Sequence, residues 1–205
     1  MSARQIVIVA SGGANTASLQ FALQRLGVES VLSADASRIR AASHVILPGV
    51  GAAADAMQRL RQGHLDTVIP ALEQPVLGIC LGMQLLFEAS QEGASRQGDV
   101  RCLGIIPGRA ERFATSPGRP VPHMGWNTLD IRRRCALLMG LADGDYAYFV
   151  HSYALGLSEA TVASTGYGAP FSACVQWRNF YGAQFHPERS AAVGARLLGN
   201  FLALD

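Results

Sequence analysis

A cysteine placed between two glycines is the first feature of this sequence that could do chemistry. Cys80 is the centre of the segment GICLG (78–82), which follows the apolar residues 75–77. This spacing has the form of a nucleophile elbow, a sharp strand-to-helix turn that presents a reactive side chain. The start of the following helix favours a thiolate, and the backbone N–H of Leu81 could donate to an oxyanion. The pattern predicts a nucleophile, with a buried structural cysteine as the alternative.

A cysteine nucleophile needs a histidine base, and His186 has the most suitable neighbours. It lies in the segment QFHPE (184–188), at the end of an apolar stretch. Residues two apart on an extended segment face the same way, and Pro187 disfavours a helical conformation for the residue before it. We therefore expect Glu188 to lie beside His186, fix its tautomer and stabilise its protonated form. A surface turn without chemistry is the alternative.

A glycine-containing turn at PGVG (48–51) could complete a site for acyl transfer. It follows a short apolar run, and strand order could bring it beside the cysteine turn. Glycines can present free N–H groups, and a peptide flip costs little there. Because acyl transfer needs donors aimed at the developing oxyanion, we interpret the turn as part of the site. A turn that merely tolerates glycine is the alternative.

The amino-acid composition limits the classes of protein to which this chain could belong. The chain has 205 residues, 49% hydrophobic and 16% charged, which is typical of a globular protein and predicts one domain over 1–205. All 17 basic residues are arginines, so a Schiff-base lysine is excluded. The net charge is +2, and the one dense basic run, at 132–134, favours a solvated turn over nucleic-acid binding.

The cysteines and the N-terminal residues indicate a compartment. No pair of the four cysteines has the CxxC spacing of a zinc ribbon. A domain of this size without a secretory leader is typical of the reducing cytoplasm. The apolar stretch near the N-terminus is too short for a signal peptide or a membrane span. We predict a cytoplasmic protein with no cofactor and no metal site.

The elements that must position these residues alternate between strand and helix in the first half of the chain. Continuous apolar runs predict buried parallel strands, and a 3.6-residue period predicts helices. Beyond Arg101, short strands with turn residues predict antiparallel strands added to a mixed, mainly parallel sheet, an α/β architecture. The loop 114–122 would join the two halves. The expected strands are 6–10, 28–33, 44–47, 76–79, 109–113, 146–150, 161–164, 171–177 and 181–185. The first expected helix is capped at Asn15 or Thr16 and closed by Gly27, and the others are 55–61, 82–89 and 191–204.

Five motifs together give the sequence a family resemblance over essentially its whole length. They are PGVG (48–51), GICLGMQLLFE (78–88), PHMGWN (122–127), YFVHSY (148–153) and QFHPERS (184–190). The sequence resembles the class I (triad) glutamine amidotransferases, with Cys80, His186 and Glu188 as the triad. Within that family, PHMGWN and YFVHSY are similar to the glutaminase subunits of imidazole glycerol phosphate synthase. The resemblance implies a flavodoxin-like, three-layer amidotransferase fold.

The resemblance also implies how glutamine would be bound and cleaved. The Cys80 thiolate would attack the side-chain amide, and His186, oriented by Glu188, would protonate the departing ammonia and then activate water. Backbone N–H groups near Val50, Gly51 and Leu81 would hold the oxyanion. The residues that would hold the glutamine are Gly49, Gln84 and Glu92, together with the backbone of His151 and Ser152.

The resemblance further implies a partner in histidine biosynthesis. Ammonia would pass to a separate cyclase, a (β/α)8 barrel, in a heterodimer. There it would react with a phosphoribulosyl-formimino-aminoimidazole nucleotide to give imidazole glycerol phosphate and an aminoimidazole carboxamide ribotide. The residues that match positions near the partner interface are Asn15, His123, Trp126, Asn127 and Tyr148. Core packing is the alternative for Trp126.

Several rival functions and one departure from the family pattern stay open at this point. A related glutaminase could serve a different synthase, and a non-catalytic binding subunit could keep the same fold. A cysteine protease or a peroxide-handling enzyme of similar fold would release no ammonia from glutamine. Ala10 stands where the family commonly has an acidic residue, at the end of the first strand. Any contact made by that carboxylate is missing here.

Overall fold

The first half of the chain alternates strands and helices, as the sequence predicts. The computed structural model describes residues 5–12, 16–95 and 98–205. The elements up to the cysteine turn are β1 (Ile6–Val9), α1 (Thr16–Arg25), β2 (Ser30–Ser33), α2 (Ala36–Ala41), β3 (His44–Gly49), α3 (Ala53–Gln62), α4 (Leu65–Val68), a 3-10 turn (Ile69–Ala71), β4 (Val76–Cys80) and α5 (Leu81–Leu85).

The second half is dominated by strands and closes with one long helix. Its elements are β5 (Phe87–Ser95), β6 (Gly98–Arg101), β7 (Ile106–Arg112), β8 (His123–Thr128), β9 (Asp130–Ile131), a 3-10 turn (Ala136–Leu138), β10 (Tyr146–His151), β11 (Tyr153–Leu155), β12 (Thr161–Tyr167), β13 (Ala169–Trp177), β14 (Phe180–Ala183), a 3-10 turn (Pro187–Arg189) and α6 (Ala191–Leu202).

The main sheet is mixed, as predicted. Within the described part of the chain it has eight strands in the order β2-β1-β3-β4-β14-β13-β12-β9. From β2 to β14 in this order, neighbouring strands pair in parallel. From β14 to β9, each strand pairs antiparallel with the next. An order that begins 2-1-3-4 is the flavodoxin-like arrangement, in which ligands bind beyond the carboxyl ends of the strands. Those ends lie at one edge, so the segments that follow β3, β4 and β14 meet there.

Two smaller sheets flank this edge in the described residues. Strand β8 pairs antiparallel with β10, and the order β11-β7-β5-β6 forms the other sheet. In the first of these sheets His123 lies opposite His151 and Trp126 lies opposite Tyr148. The first sheet thereby brings the PHMGWN and YFVHSY segments side by side.

The core lies on both faces of the main sheet. On β1, Ile6 and Ile8 join one apolar cluster, which also contains Leu23 and Phe201, whereas Val7 and Val9 join a second. All four residues of β1 are fully buried. A strand covered on both faces needs apolar side chains at every position, which explains the continuous apolar run in the sequence.

The predicted helix 82–89 is wrong in its second half. Helix α5 ends at Leu85, and Phe87 begins β5, which pairs in parallel with β7. Leu85, Leu86 and Phe87 are all at most 1% exposed. A run that is buried on every side carries no periodicity to separate helix from strand, so pairing with a distant strand decided its conformation.

Other boundaries also differ from the prediction. Strand β14 ends at Ala183 and does not continue to Phe185, because the chain bends before the candidate catalytic histidine. The expected loop 114–122 contains a short bridge between Ser116 and Arg119. The elements that the sequence patterns did not predict are α2, α4, β5, β6, β8, β9 and β11.

Among the helices of the described residues, none combines the length and the apolar character that crossing a bilayer requires.

Candidate active site

The cysteine turn has the geometry of a nucleophile elbow. Cys80 is the last residue of β4 and has φ 53° and ψ −112°, a backbone conformation that a non-glycine residue rarely adopts. A Cβ on Gly78 would lie 2.7 Å from the Gly82 carbonyl oxygen, and a Cβ on Gly82 would collide with the Leu47 carbonyl oxygen. The two glycines are therefore required because the backbone on either side packs too closely for any side chain. The surrounding contacts hold Cys80 in its strained conformation.

The PGVG turn lies directly beside this elbow, as the sequence predicts. Strands β3 and β4 are parallel neighbours, and Gly49 is in register with Cys80. A Cβ on Gly49 would lie 2.7 Å from the Gly82 nitrogen and 2.8 Å from the Leu81 Cβ. Gly51 has φ 89°, in the region that favours glycine. The residues Val50, Gly51 and Leu81 all line the same cleft as the cysteine.

A cleft of about 430 Å³ opens over the cysteine sulfur. Its wall includes His186 and Glu188, which follow the neighbouring strand β14. Cys80 itself is only 7% exposed. The cleft is thus large enough for a small amino acid, whose reacting group would meet a largely desolvated sulfur.

The His186 ring lies between the cysteine and Glu188. Its Nδ1 is 2.8 Å from Glu188 Oε1, and the side chains are 10% and 9% exposed. Because Nδ1–H donates to the carboxylate, Nε2 is the ring nitrogen that can face the Cys80 thiol. Burial alone lowers the pKa of His186, but the hydrogen bonds to Cys80 and Glu188 and their negative charges raise it to about 10. The raised pKa favours a protonated His186 ring between the sulfur and Glu188.

Glu188 lies beside His186 as predicted, but the extended geometry predicted for the pair is wrong. His186 is extended, with φ −94° and ψ 101°, as expected before a proline, whereas Pro187–Arg189 form a 3-10 turn. Glu188 therefore reaches the ring around a helical turn and not along a strand. Ser190 fixes the turn, because its hydroxyl donates to the His186 carbonyl oxygen at 2.7 Å and accepts from the Tyr148 N–H at 2.9 Å.

Gln84 has protein partners that the sequence did not predict. Its side-chain nitrogen donates to the Tyr153 carbonyl oxygen and to Gln184 Oε1, both at 2.9 Å. Gln184 Nε2 in turn lies 3.7 Å from the Cys80 sulfur. Both amide hydrogens of Gln84 are thus committed within the protein. Gln184 is a close neighbour of the sulfur that the sequence analysis missed, although its position two residues before His186 in QFHPE was a signal.

The other residues expected to hold a substrate line the cleft. Glu92, His151 and Ser152 contribute to its wall, together with Gly49. Burial raises the pKa of Glu92, and the Ala53 N–H at the start of α3 partly offsets this. A carboxylate at the rim could bind an ammonium group.

His151 is buried and neutral. Burial lowers its pKa to about 3, against the opposing effect of the Tyr153 carbonyl oxygen, which lies 2.8 Å from Nδ1. Its Nε2 lies 3.2 Å from His123 Nδ1. Because a carbonyl oxygen only accepts, His151 carries its proton on Nδ1, and His123 donates to His151 Nε2.

Comparison with known proteins decides the family. The family described as glutamine amidotransferase class-I matches residues 7–204. The chain belongs to the class I glutamine amidotransferase family.

Relatives within this family are similar along their whole length. The imidazole glycerol phosphate synthase subunit HisH of Xylella fastidiosa (strain Temecula1) is 51% identical over 201 residues, covering 98% of each chain. The subunit HisH 2 of Legionella pneumophila (strain Lens) is 50% identical over 200 residues, again covering 98% of each.

Solved structures agree with the fold of this amidotransferase. A protein described as a glutamine amidotransferase superposes with a TM-score of 0.73 at 20% identity, and the match covers 97% of both chains. A glutamine amidotransferase from Thermotoga maritima superposes with a TM-score of 0.65 at 15% identity, covering 99% of this chain and 84% of that one. At these identities the likeness concerns the fold alone.

The outer face of the β8–β10 sheet of this amidotransferase is apolar and exposed. Met124 is 67% exposed, Trp126 52% and Tyr146 58%. The Trp126 ring packs edge-on against the half-buried Tyr148 ring, with centroids 5.9 Å apart. Core packing, the alternative for Trp126, is therefore wrong.

Two further residues expected near an interface are placed differently. Asn127 is half-buried in the same strand, and its amide donates to the Gly166 carbonyl oxygen at 2.9 Å. His123 lies beneath the outer face and not on it, because it is only 4% exposed and stacks between Phe149 and Tyr167. Asn15 lies outside the described residues.

Proposed function

We propose that this chain hydrolyses glutamine to glutamate and ammonia in the Cys80 cleft, as the glutaminase component of an imidazole glycerol phosphate synthase in histidine biosynthesis. The observation that carries the chemistry is the His186 ring, which lines the same cleft as Cys80 and has its Nδ1 2.8 Å from Glu188. The near-complete alignment with subunits named HisH supports the choice of synthase.

In the proposed reaction the Cys80 thiolate attacks the side-chain amide carbon of glutamine. A C–S bond forms and the carbonyl oxygen becomes an oxyanion. His186 gives its Nε2 proton to the leaving nitrogen, so the C–N bond breaks and ammonia departs. The neutral ring then takes a proton from water, and the resulting hydroxide attacks the thioester carbon. The C–S bond breaks, glutamate is released, and the Cys80 thiolate and the protonated ring are restored. Glu188 holds the ring and stabilises its charged form throughout.

Backbone donors around the elbow would stabilise the oxyanion. Leu81 is the first residue of α5, so its N–H has no partner within that helix. Val50 and Gly51 line the cleft from the neighbouring strand end. The Gly49–Val50 peptide is the one whose flip we expect to complete the oxyanion site. Glu92, with the backbone of His151 and Ser152, would bind the amino-acid end of glutamine.

The proposed partner is the cyclase, a (β/α)8 barrel that uses the ammonia. The exposed apolar face of the β8–β10 sheet, which includes Met124 and Trp126, supports a docking surface beside the cleft. We propose a heterodimer in the cytoplasm. The cysteines are free, which suits a reducing compartment.

The test is a glutaminase assay with and without the cyclase, loaded with its nucleotide ligand. We expect slow ammonia release from the isolated chain and a large increase in the loaded complex. Cys80→Ala should abolish glutamine-dependent synthesis but leave synthesis from added ammonium salts intact in the cyclase. Unchanged glutamine-dependent synthesis in Cys80→Ala would favour a binding subunit. Activation by a different synthase, and not by the cyclase, would favour the other rival.

A further inference from the structure

We propose that Gln184 is a further residue of the active site, whose side-chain N–H bonds the Cys80 sulfur and stabilises its thiolate form. The inference rests on the proposed role of Cys80 as nucleophile. Gln184 directly follows β14, and its Nε2 lies 3.7 Å from Cys80 Sγ, within range of an N–H···S hydrogen bond. It thus contacts the reacting atom directly.

One backbone carbonyl dictates which end of the Gln184 amide faces the sulfur. The Tyr153 carbonyl oxygen can only accept, so the Gln84 side chain must present its nitrogen there, at 2.9 Å. The second hydrogen of that nitrogen goes to Gln184 Oε1, also at 2.9 Å. Once its oxygen is engaged, Gln184 has only its NH2 group left to turn toward Cys80. The sulfur is therefore offered a donor and not an acceptor.

Burial keeps this orientation in place. Gln184 is 0% exposed and Gln84 is 2% exposed, so water cannot replace the missing partners if either amide turns over. A reversed Gln184 would place its oxygen against the sulfur and its NH2 group against the Gln84 NH2 group. Leaving buried donors unpaired in this way is costly. The pair therefore holds a donor toward Cys80 in the free protein.

The surroundings of the sulfur explain why such a donor matters. The Val150 carbonyl oxygen lies 3.8 Å from Cys80 Sγ and accepts from the protonated thiol, so it opposes ionisation. Helix α5 has only five residues and supplies little macrodipole. The titratable groups around the sulfur are His186, which interacts with Cys80 and with Glu188, and His151, which lies close to His186. Glu92 lines the same cleft. Gln184 adds a neutral donor that does not titrate.

The test measures the ionisation of Cys80 without using glutamine. The full-length chain is alkylated with iodoacetamide from pH 4 to 10, and the modified Cys80 peptide is quantified by mass spectrometry. In Gln184→Met, which keeps the length but removes the donor, we expect the midpoint of the rate profile to rise by about one pH unit. Gln184→Glu, which brings a carboxylate to the sulfur, should raise it further.

A matched control removes a different buried hydrogen bond. Ser172, on β13, is also 0% exposed. Its hydroxyl bonds the Thr161 hydroxyl and donates to the Gly156 carbonyl oxygen, both at 2.8 Å. Ser172→Ala should leave the Cys80 midpoint unchanged. If Gln184→Met fails to fold, Gln84→Met provides a second variant, since it frees the Gln184 amide to turn and should raise the midpoint by a smaller amount.

The outcomes separate this inference from the proposed function. An unchanged midpoint in a folded Gln184→Met, or in Gln84→Met and Gln184→Glu together, would overturn the role of Gln184. A midpoint that rises as expected supports it, even in a chain that releases no ammonia from glutamine with the cyclase present. That second result would reject the glutaminase proposal alone.

Discussion

His123 donates from Nδ1 to Nε2 of His151 at 3.2 Å, inside an aromatic cluster beneath the β8–β10 sheet. His151 must stay neutral to accept this bond at Nε2, and His123 must stay neutral to accept from the Asn127 amide, 3.3 Å from its own Nε2. Burial lowers the pKa of His123 to about 4 and that of His151 to about 3. These lowered pKa values predict how the free energy of unfolding depends on pH.

The chain should lose stability on acidification below pH 6.5. An unfolded histidine titrates near 6.5, so between that pH and about 4 the unfolded chain binds more protons than the native chain. The free energy of unfolding therefore falls as the pH falls through this window. In His123→Gln, urea unfolding near pH 5 should take up about one proton fewer than in the unaltered chain.

The control for this prediction is an exposed histidine. His64 lies at the start of α4 in a left-handed conformation, with φ 54°, which asparagine tolerates well. His64→Asn leaves the buried histidine pair intact, so the fall in the free energy of unfolding that this pair causes below pH 6.5 should remain. An equal pH dependence in His123→Gln and the unaltered chain would show that the buried pair accepts protons without cost.

Glu188 should control both the rate and the charge of His186. Glu188→Gln keeps a hydrogen-bond acceptor but removes the negative charge, so the pKa of His186 should fall. We expect glutamine hydrolysis in the complex to drop by about 10²-fold, with binding of glutamine little changed. Steady-state kinetics measured across pH would check this, with the exposed Glu159→Gln as control.

The contact between His186 and Glu188 predicts a loss of stability at high pH. The native pKa of His186, about 10, lies above its unfolded value. The stabilisation is therefore complete below about pH 6.5 and is lost as the pH rises through 10. Glu188→Gln should flatten this alkaline dependence, and a variant that keeps it in full would contradict the assigned ion pair.

Two glycines of α6 should respond oppositely to alanine. A Cβ on Gly194 would collide with the carbonyl oxygen of Pro187, in the turn that carries Glu188, whereas Gly199 has open space. Gly194→Ala should lower the free energy of unfolding by about 2 kcal/mol and reduce glutaminase activity. Gly199→Ala should raise the free energy of unfolding by about 1 kcal/mol, because alanine has the higher helix propensity. Thermal unfolding of both variants distinguishes a crowded site from a general effect of alanine, and equal shifts would refute the contact.

Trp126 should contribute strongly to partner binding. Its exposed ring, supported by Tyr148, is typical of an interface residue that carries much of the binding energy. Trp126→Ala should weaken binding of the cyclase by roughly 30-fold while leaving the thermal stability of the isolated chain nearly unchanged. Met139→Ala, which alters a side chain that is 69% exposed on a different surface, is the matched control. Equal calorimetric affinities for the two variants would move the interface elsewhere.

Local patterns in the sequence are enough to locate the buried strands and the main chemical groups. Continuous apolar runs on β1, β3 and β4 are possible only where both faces of a strand are covered, so they located the centre of the sheet. Glycines around Cys80 and a carboxylate near His186 are local requirements of a tight turn and of an oriented ring. Such requirements involve residues that are close together in the sequence, so they can be predicted without knowing the fold.

Features that depend on contacts between residues distant in the chain became visible only in the folded structure. The end of α5 at Leu85, and the strand that follows it, depend on pairing with β7, which local propensity cannot report. The turn that brings Glu188 to His186 replaced the expected extended segment. The orientation of the Gln184 amide is set by Gln84, which donates to Gln184 Oε1. The Gln84 amide is oriented in turn by the carbonyl oxygen of Tyr153, which lies 69 residues away in the sequence. Hydrogen bonds between buried side chains are set by three-dimensional proximity, and for that reason the sequence alone could not reveal the donor aimed at the sulfur.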